Sequence, residues 1–289
     1  GTAALKAGYR TLASVLATLP GHEKMVASVL DGFLDGLPTT DACRTAQVTD
    51  WLRQRRPSHD VLDRSAAVVT RTAPAALVGC GDDYMGSKDW KPALARYRQL
   101  LDQYPHDLLA ARARKGAERA TLALELANVR RLLAGPTSLQ PEYCSHPAKY
   151  SGAEPYGKGT NRVMFYGNDK YAKKLPGSWR TGDVTHAVLV VCADTEKQGA
   201  SVQTCPYENK SFPEFPRQVT FHKIAIPVKA YELRTGKLVA HRTVQIRGAS
   251  CPRILHYTTY VSDLGPPGDV DVKPSHADIL AAFRSLITR

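Results

Sequence analysis

The chain has 289 residues, of which 43% are hydrophobic, 8% aromatic and 23% charged. That composition excludes wholesale disorder and a disulfide-only mini-protein, and the length points to two domains. Net charge is +12, from 39 Lys and Arg against 27 Asp and Glu, so polyanions are drawn to the surface. The excess is spread along the chain, which favours a basic solvated surface over a nucleic-acid-binding arm.

The first part reads as helical. Leu5, Tyr9, Leu12, Leu16 and Leu19 recur at spacings of four and three up to Pro20-Gly21. Met25, Val26, Val29, Leu30, Phe33 and Leu37 repeat the pattern up to Pro38, and the two pieces make an antiparallel hairpin. Asp41 is placed to cap a helix carrying Cys43 and Trp51 that stops before Pro57. Ser58 is expected to cap the next, through Val61, Leu62, Ala66 and Val69.

Residues 74–107 contain Gly81, Tyr84, Trp90, Ala93, Tyr97 and Pro105 at the offsets of a 34-residue helical hairpin. This stretch resembles one tetratricopeptide repeat, with Leu77, Cys80 and Leu100 departing from the family pattern. The resemblance implies two packed helices and a concave groove for a peptide. Asp107 then caps a long helix that ends at Gly135-Pro136, with Leu122, Leu126, Val129 and Leu133 on one face and arginines on the other.

Between 136 and 160, Pro136, Pro141, Pro147, Pro155, Gly152, Gly157 and Gly159 break regular structure. This stretch reads as a linker between an all-α domain, 1–135, and an α+β domain, 161–289. In the second, Val184–Cys192 is expected to form a buried central strand, with Val202–Tyr207 as its hairpin partner. A clearer hairpin joins Val219–Leu233 to Leu238–Ile246 across Arg234-Thr235-Gly236-Lys237, with Gly236 at positive φ. Ser275 and Asp278 form a capping box for a last helix bearing Ile279, Leu280, Phe283, Leu286 and Ile287. The expected fold is therefore α+β: a helical array, then an antiparallel sheet closed by a C-terminal helix. Val188–Cys192, Thr204–Tyr207, Tyr231–Val239 and Gly248–Pro252 are similar to a domain of secreted and membrane-anchored proteins from high-GC Gram-positive bacteria. The resemblance implies an extracytoplasmic location and no particular activity.

Cysteines at 43, 80, 144, 192, 205 and 251 lack C-x-x-C spacing, so disulfides in an oxidising compartment are expected instead of a zinc site. Of 15 connectivities, the architecture favours Cys43–Cys80 and Cys192–Cys205, leaving Cys144–Cys251. A metal site from Cys144, His146, Cys251 and His256 is set aside for the same reason. The chain begins with Gly, and a signal or anchor is expected outside it. No run of about 18 apolar residues exists, so no membrane span is expected.

Motifs for a serine nucleophile, a phosphate loop or a zinc protease do not occur. Adjacent Asp82 and Asp83 on a helix point about 100° apart and cannot flank one bond. No catalytic residue, cofactor or metal is therefore assigned. From Lys149 to Arg180, six aromatics interleave with Lys and Arg, a pattern suited to sugars or anionic polymers. Tyr171, Lys173, Lys174, Trp179 and Arg180 are the candidate binding residues. The leading expectation is an exported, non-catalytic interaction or scaffold module at the cell envelope with a protein or peptide partner. A binder of anionic wall polymer or glycan through 149–180 is the alternative, and an enzyme with an unrecognised site the third. Nucleic acid is the least expected partner.

Overall fold

A computed structural model describes residues 2–209, 212–258 and 265–289. The chain forms two compact units, 1–124 and 125–289, and the division falls within a helix.

The first unit is helical: α1 (Thr2–Thr18), α2 (Glu23–Leu34), α3 (Ala42–Gln54), α4 (Ser65–Gly86), α5 (Trp90–Gln103) and the first part of α6 (Ala110–Leu132). Asp41 caps α3 by accepting from the Arg44 N–H, as its position in the sequence predicts. Asp60, and not Ser58, caps the following segment. Its carboxylate accepts from Leu62 N–H at the head of a 3₁₀ turn, Val61–Arg64, that leads into α4. Ser58 instead donates its hydroxyl to Asp60 and Asp63. Pro74 lies inside the 22-residue α4, not at a helix start. The α4–α5 pair buries Leu77, Cys80, Ala93, Tyr97 and Leu100 in one cluster, and the Cys43–Cys80 disulfide ties α3 to α4. A second cluster joins Tyr9 of α1, Val26, Leu30 and Leu34 of α2, Leu52 of α3 and Val69 of α4.

The second unit is built on a mixed six-stranded sheet: β1 (Val163–Tyr166), β2 (Leu189–Ala193), β3 (Lys197–Asn209), β4 (Phe212–Glu232), β5 (Leu238–Ile246) and β6 (Asp269–Asp271). The short helix α7 (Asp169–Ala172) lies in the β1–β2 connection, and α8 (His276–Ile287) ends the chain. The sheet departs from the expected antiparallel form, because β1–β2 and β4–β6 are parallel. Parallel strands need a long crossover, and residues 167–188, which contain α7, supply it between β1 and β2.

The 21-residue β4 is the spine. One of its edges takes β2 and then β3; the other takes β5 and then β6. The strand at 202–207 therefore pairs with β4 and not with β2. Cys192 lies opposite Lys229 and Cys205 opposite Val219, so at roughly 3.3 Å per residue they stand about 33 Å apart along β4. This overturns the expected Cys192–Cys205 and Cys144–Cys251 bridges. The disulfides are Cys43–Cys80, Cys144–Cys192 and Cys205–Cys251.

β1 and β2 are buried on both faces, which explains their unbroken apolar runs. Val163, Phe165, Leu189 and Val191 face Ile279, Phe283, Leu286 and Ile287 of α8. Met164, Tyr166, Val190 and Cys192 face Val129 and Leu132 of α6 and Leu133 just after it, together with Tyr143 and Ala153. The 136–160 stretch is thus irregular, as its Pro and Gly content implies, and mostly exposed, but Tyr143, Cys144 and Ala153 anchor it in this core. Tyr231 Oη donates to the Cys144 carbonyl at 3.2 Å, and the Cys144–Cys192 bridge fixes the same point to β2. Among the described residues no helix is long and apolar enough to cross a membrane.

Candidate functional site

α2 carries two apolar lines at i, i+4 spacing. Val26, Leu30 and Leu34 form the line that faces the helical core. Met25, Val29 and Phe33 form the other, and it stays in solvent at 51%, 57% and 39% exposure. An apolar stripe about 100° wide is enough to seat a helix on its own core, so the second line is surplus to folding.

That line borders a cleft of about 790 Å³ among α1, α2 and α3, lined by Leu5, Leu12, Val29, Phe33, Leu37 and Val48. Its size falls in the range of ligand and peptide sites. Gly8 of α1 and Gly32 of α2 also line it, and a Cβ at either would meet nothing within 4 Å. Glycine inside a helix costs about 0.5–1 kcal/mol relative to alanine, and here neither glycine relieves a clash; both leave room. Arg44 is the single charged residue of the lining. At the inner end, Tyr9 meets Trp51 edge-on at 5.1 Å, with the Arg55 guanidinium 4.3 Å from the Tyr9 ring. Burial pushes the Tyr9 phenol above its ordinary pKa.

The residues expected to form a binding surface between 149 and 180 are placed differently. Tyr171 is fully buried, with its hydroxyl pushed up to about 12 by burial and then by Glu196. Trp179 is half-buried against the same core as Phe165 and Tyr171. Lys173 and Lys174 are exposed; Lys173 pairs with Asp169 at 2.7 Å, while the Lys174 carbonyl accepts from His276 Nε2 at 2.7 Å. Arg180 is half-buried beside β1, in a bridge with Val163. The structure therefore sets Tyr171 and Trp179 against one core and leaves Lys173 and Lys174 exposed outside it.

A polar cleft of about 480 Å³ lies at the carboxyl ends of β1 and β2, lined by Gln140, Asn168, Asp169, Lys170, Asp194 and Glu196. Gly167 makes it possible: φ is +97° and a Cβ would stand 1.9 Å from the Ala193 carbonyl oxygen. Lys170 pairs with Glu196 at 2.9 Å, and that hydrogen bond raises the Lys170 pKa. Burial raises Glu196, but the hydrogen bond from Lys170 and the nearby Tyr171 hydroxyl outweigh it and hold the carboxyl below its usual range. Asp271 nearby is raised by burial and by the charge of Glu196. Lys170 is paired with Glu196 and Asp169 with Lys173, while Asp194 accepts from the Gln140 amide, an arrangement that holds the loops together. Among the described residues, no group of three or more His, Cys, Asp or Glu could hold a metal ion.

The α2 cleft went unread in the sequence, although its signal was there: the run Met25 to Leu37 is apolar over more of the helix than one packing face requires. The three disulfides are of the kind that persists in oxidising, extracytoplasmic surroundings. Compared with protein families, known proteins and solved structures, the chain matches none.

Proposed function

We propose that the protein is an exported, non-catalytic protein–protein interaction module of the cell envelope, and that its helical unit seats an amphipathic helix from a partner protein. The observation that carries this reading is the solvent-exposed Met25, Val29 and Phe33 line beside the α1–α2–α3 cleft. Side chains four apart on one helix form ridges that accept those of another, and helix-in-groove recognition uses anchors at this spacing. Open space at Gly8 and Gly32 lets a second helix approach closely. With Arg44 as the one charge in the lining, the partner helix carries apolar anchors and an acidic flank. The disulfides support the location.

The test places a photo-crosslinking amino acid at Val29, and as a control at Leu108, which is 99% exposed elsewhere in the helical unit. Crosslinking in envelope extract from Val29 but not Leu108, mapped to a helix with apolar residues at i, i+4 and lost in Phe33→Glu, is the expected result. Equal capture at both positions, or indifference to Phe33→Glu, would overturn the reading.

A further inference from the structure

The end of α3 and the residues after it bring three arginines to one place. Arg53, Arg55 and Arg56 line a second cleft, of about 670 Å³, whose apolar wall is Leu52, Val69 and Tyr104. Two of the three are already held. Arg53 Nη1 donates to Gln103 Oε1 at 3.0 Å, with its guanidinium 4.9 Å from the Tyr104 ring centre. Arg55 Nη1 donates to the Leu62 carbonyl at 3.4 Å, and its guanidinium lies over Tyr9.

None of the three forms an ion pair among the described residues, whereas Arg64, Arg96, Arg112, Arg130 and Arg131 each face a carboxylate. The one carboxylate lining this cleft, Asp63, is engaged elsewhere: Oδ1 accepts from the Ser58 N–H and hydroxyl, and Oδ2 from the His59 N–H. Positive charge also continues past Arg55, which lines an adjoining hollow with Lys6 and Arg10. The carbonyl end of α3 accounts for cations being tolerated here, but not for an apolar wall beside them. Guanidiniums held by stacking and hydrogen bonds to neutral groups keep their charge for an incoming anion, and an apolar wall beside such donors is the make-up of a small-molecule site.

We propose that this cleft binds an amphiphilic anion: a carboxylate or phosphate on an apolar body. Arg53 and Arg56 take the head group, and Leu52, Val69 and Tyr104 cover the apolar part. This site is separate from the α1–α2–α3 cleft and does not depend on it.

The experiment titrates the full chain with dodecyl phosphate below its micelle concentration, in parallel with inorganic phosphate and dodecanol, by calorimetry and by amide NMR shifts. The expected result is saturable 1:1 binding at least tenfold tighter than either half-ligand. Arg53→Gln and Arg56→Gln should each weaken it about tenfold, as loss of a hydrogen bond to a charged group does, while Arg114→Gln leaves it unchanged. Shifts should centre on 52–57 and 103–104. No saturable binding, equal affinity for inorganic phosphate, or shifts centred on Leu5, Val29 and Phe33 would overturn the proposal. A parallel arm with anionic phospholipid vesicles separates a membrane source from a free one: co-sedimentation lost in Arg53→Gln assigns a lipid, and dodecyl phosphate binding without co-sedimentation assigns a soluble ligand.

Discussion

Tyr97 lies fully buried with its ring against the backbones of two helices, since a Cβ at Gly81 would stand 2.6 Å from it and one at Gly116 2.5 Å. Its hydroxyl donates to Asp82, which also accepts from Arg112. Burial, then the bond to Asp82, raises the phenol's pKa. Gly81→Ala is expected to destabilise the helical unit by about 1–3 kcal/mol through overpacking, seen as a lower urea midpoint. His222 poses a different question, of protons. Its Nδ1 faces the Gly199 carbonyl at 3.2 Å and its Nε2 faces Asp269 Oδ1 at 2.7 Å. Both partners only accept, so the site favours the protonated ring, in which both nitrogens donate. The bond to Asp269 raises its pKa, helped by the Gly199 carbonyl and by Asp269 and Asp271. A raised folded-state pKa gives stability that is complete below the unfolded value of about 6.5 and lost as pH rises through the folded value. Urea midpoints of the native chain should therefore fall across that window relative to His222→Gln; parallel pH profiles would contradict the assignment.

At the scale of elements, local signals and the β4–β5 hairpin read well, and the pairing of the other strands did not. The Ser275–Asp278 capping box is present with both reciprocal bonds, and Gly236 takes φ +70° in the β4–β5 turn. Ser275→Ala should cost about 0.5–2 kcal/mol, measurable by thermal unfolding, because α8 anchors Phe283 and Ile287 in the sheet core. β1 was hidden because Val163–Tyr166 is only four residues long and sits in a run of lysines and aromatics. β4 was read as starting at Val219, seven residues late, because Pro216 looks like a strand breaker. The 202–207 strand was given to its neighbour in sequence, β2, although its partners Val219, Thr220 and Phe221 lay in the next strand, and the cysteine assignments followed that error. The same logic explains the binding segment. Aromatics interleaved with lysines read as a surface, but Phe165 and Tyr166 sit in a strand buried on both faces, and the crossover after it packs Tyr171 and Trp179 onto the same core.

On the scale of the whole molecule, each disulfide closes within a single compact unit. The Cys144–Cys192 bridge spans 48 residues, a loop worth about 4 kcal/mol in the chain-entropy account. Cys144→Ala with Cys192→Ala should lower the urea midpoint of the sheet unit and leave that of the helical unit, followed by Trp51 fluorescence, in place. The helical and sheet units were legible as such from hydrophobic period alone. The division between them was not, because the irregular 136–160 stretch owes its place to the buried Tyr143 and Ala153, and burial is not a property of local sequence.

The bridges join the first cysteine to the second, the third to the fourth and the fifth to the sixth. No loop encloses or crosses another. A chain threaded amino end first into an oxidising compartment thus meets each correct partner as the next thiol to arrive. An oxidant that joins consecutive thiols as they emerge makes only native links, and no shuffling catalyst is needed to correct them. Oxidation during stepwise translocation should trap species with one, then two, then three bridges in chain order, and early Cys80–Cys144 or Cys192–Cys205 links would count against this.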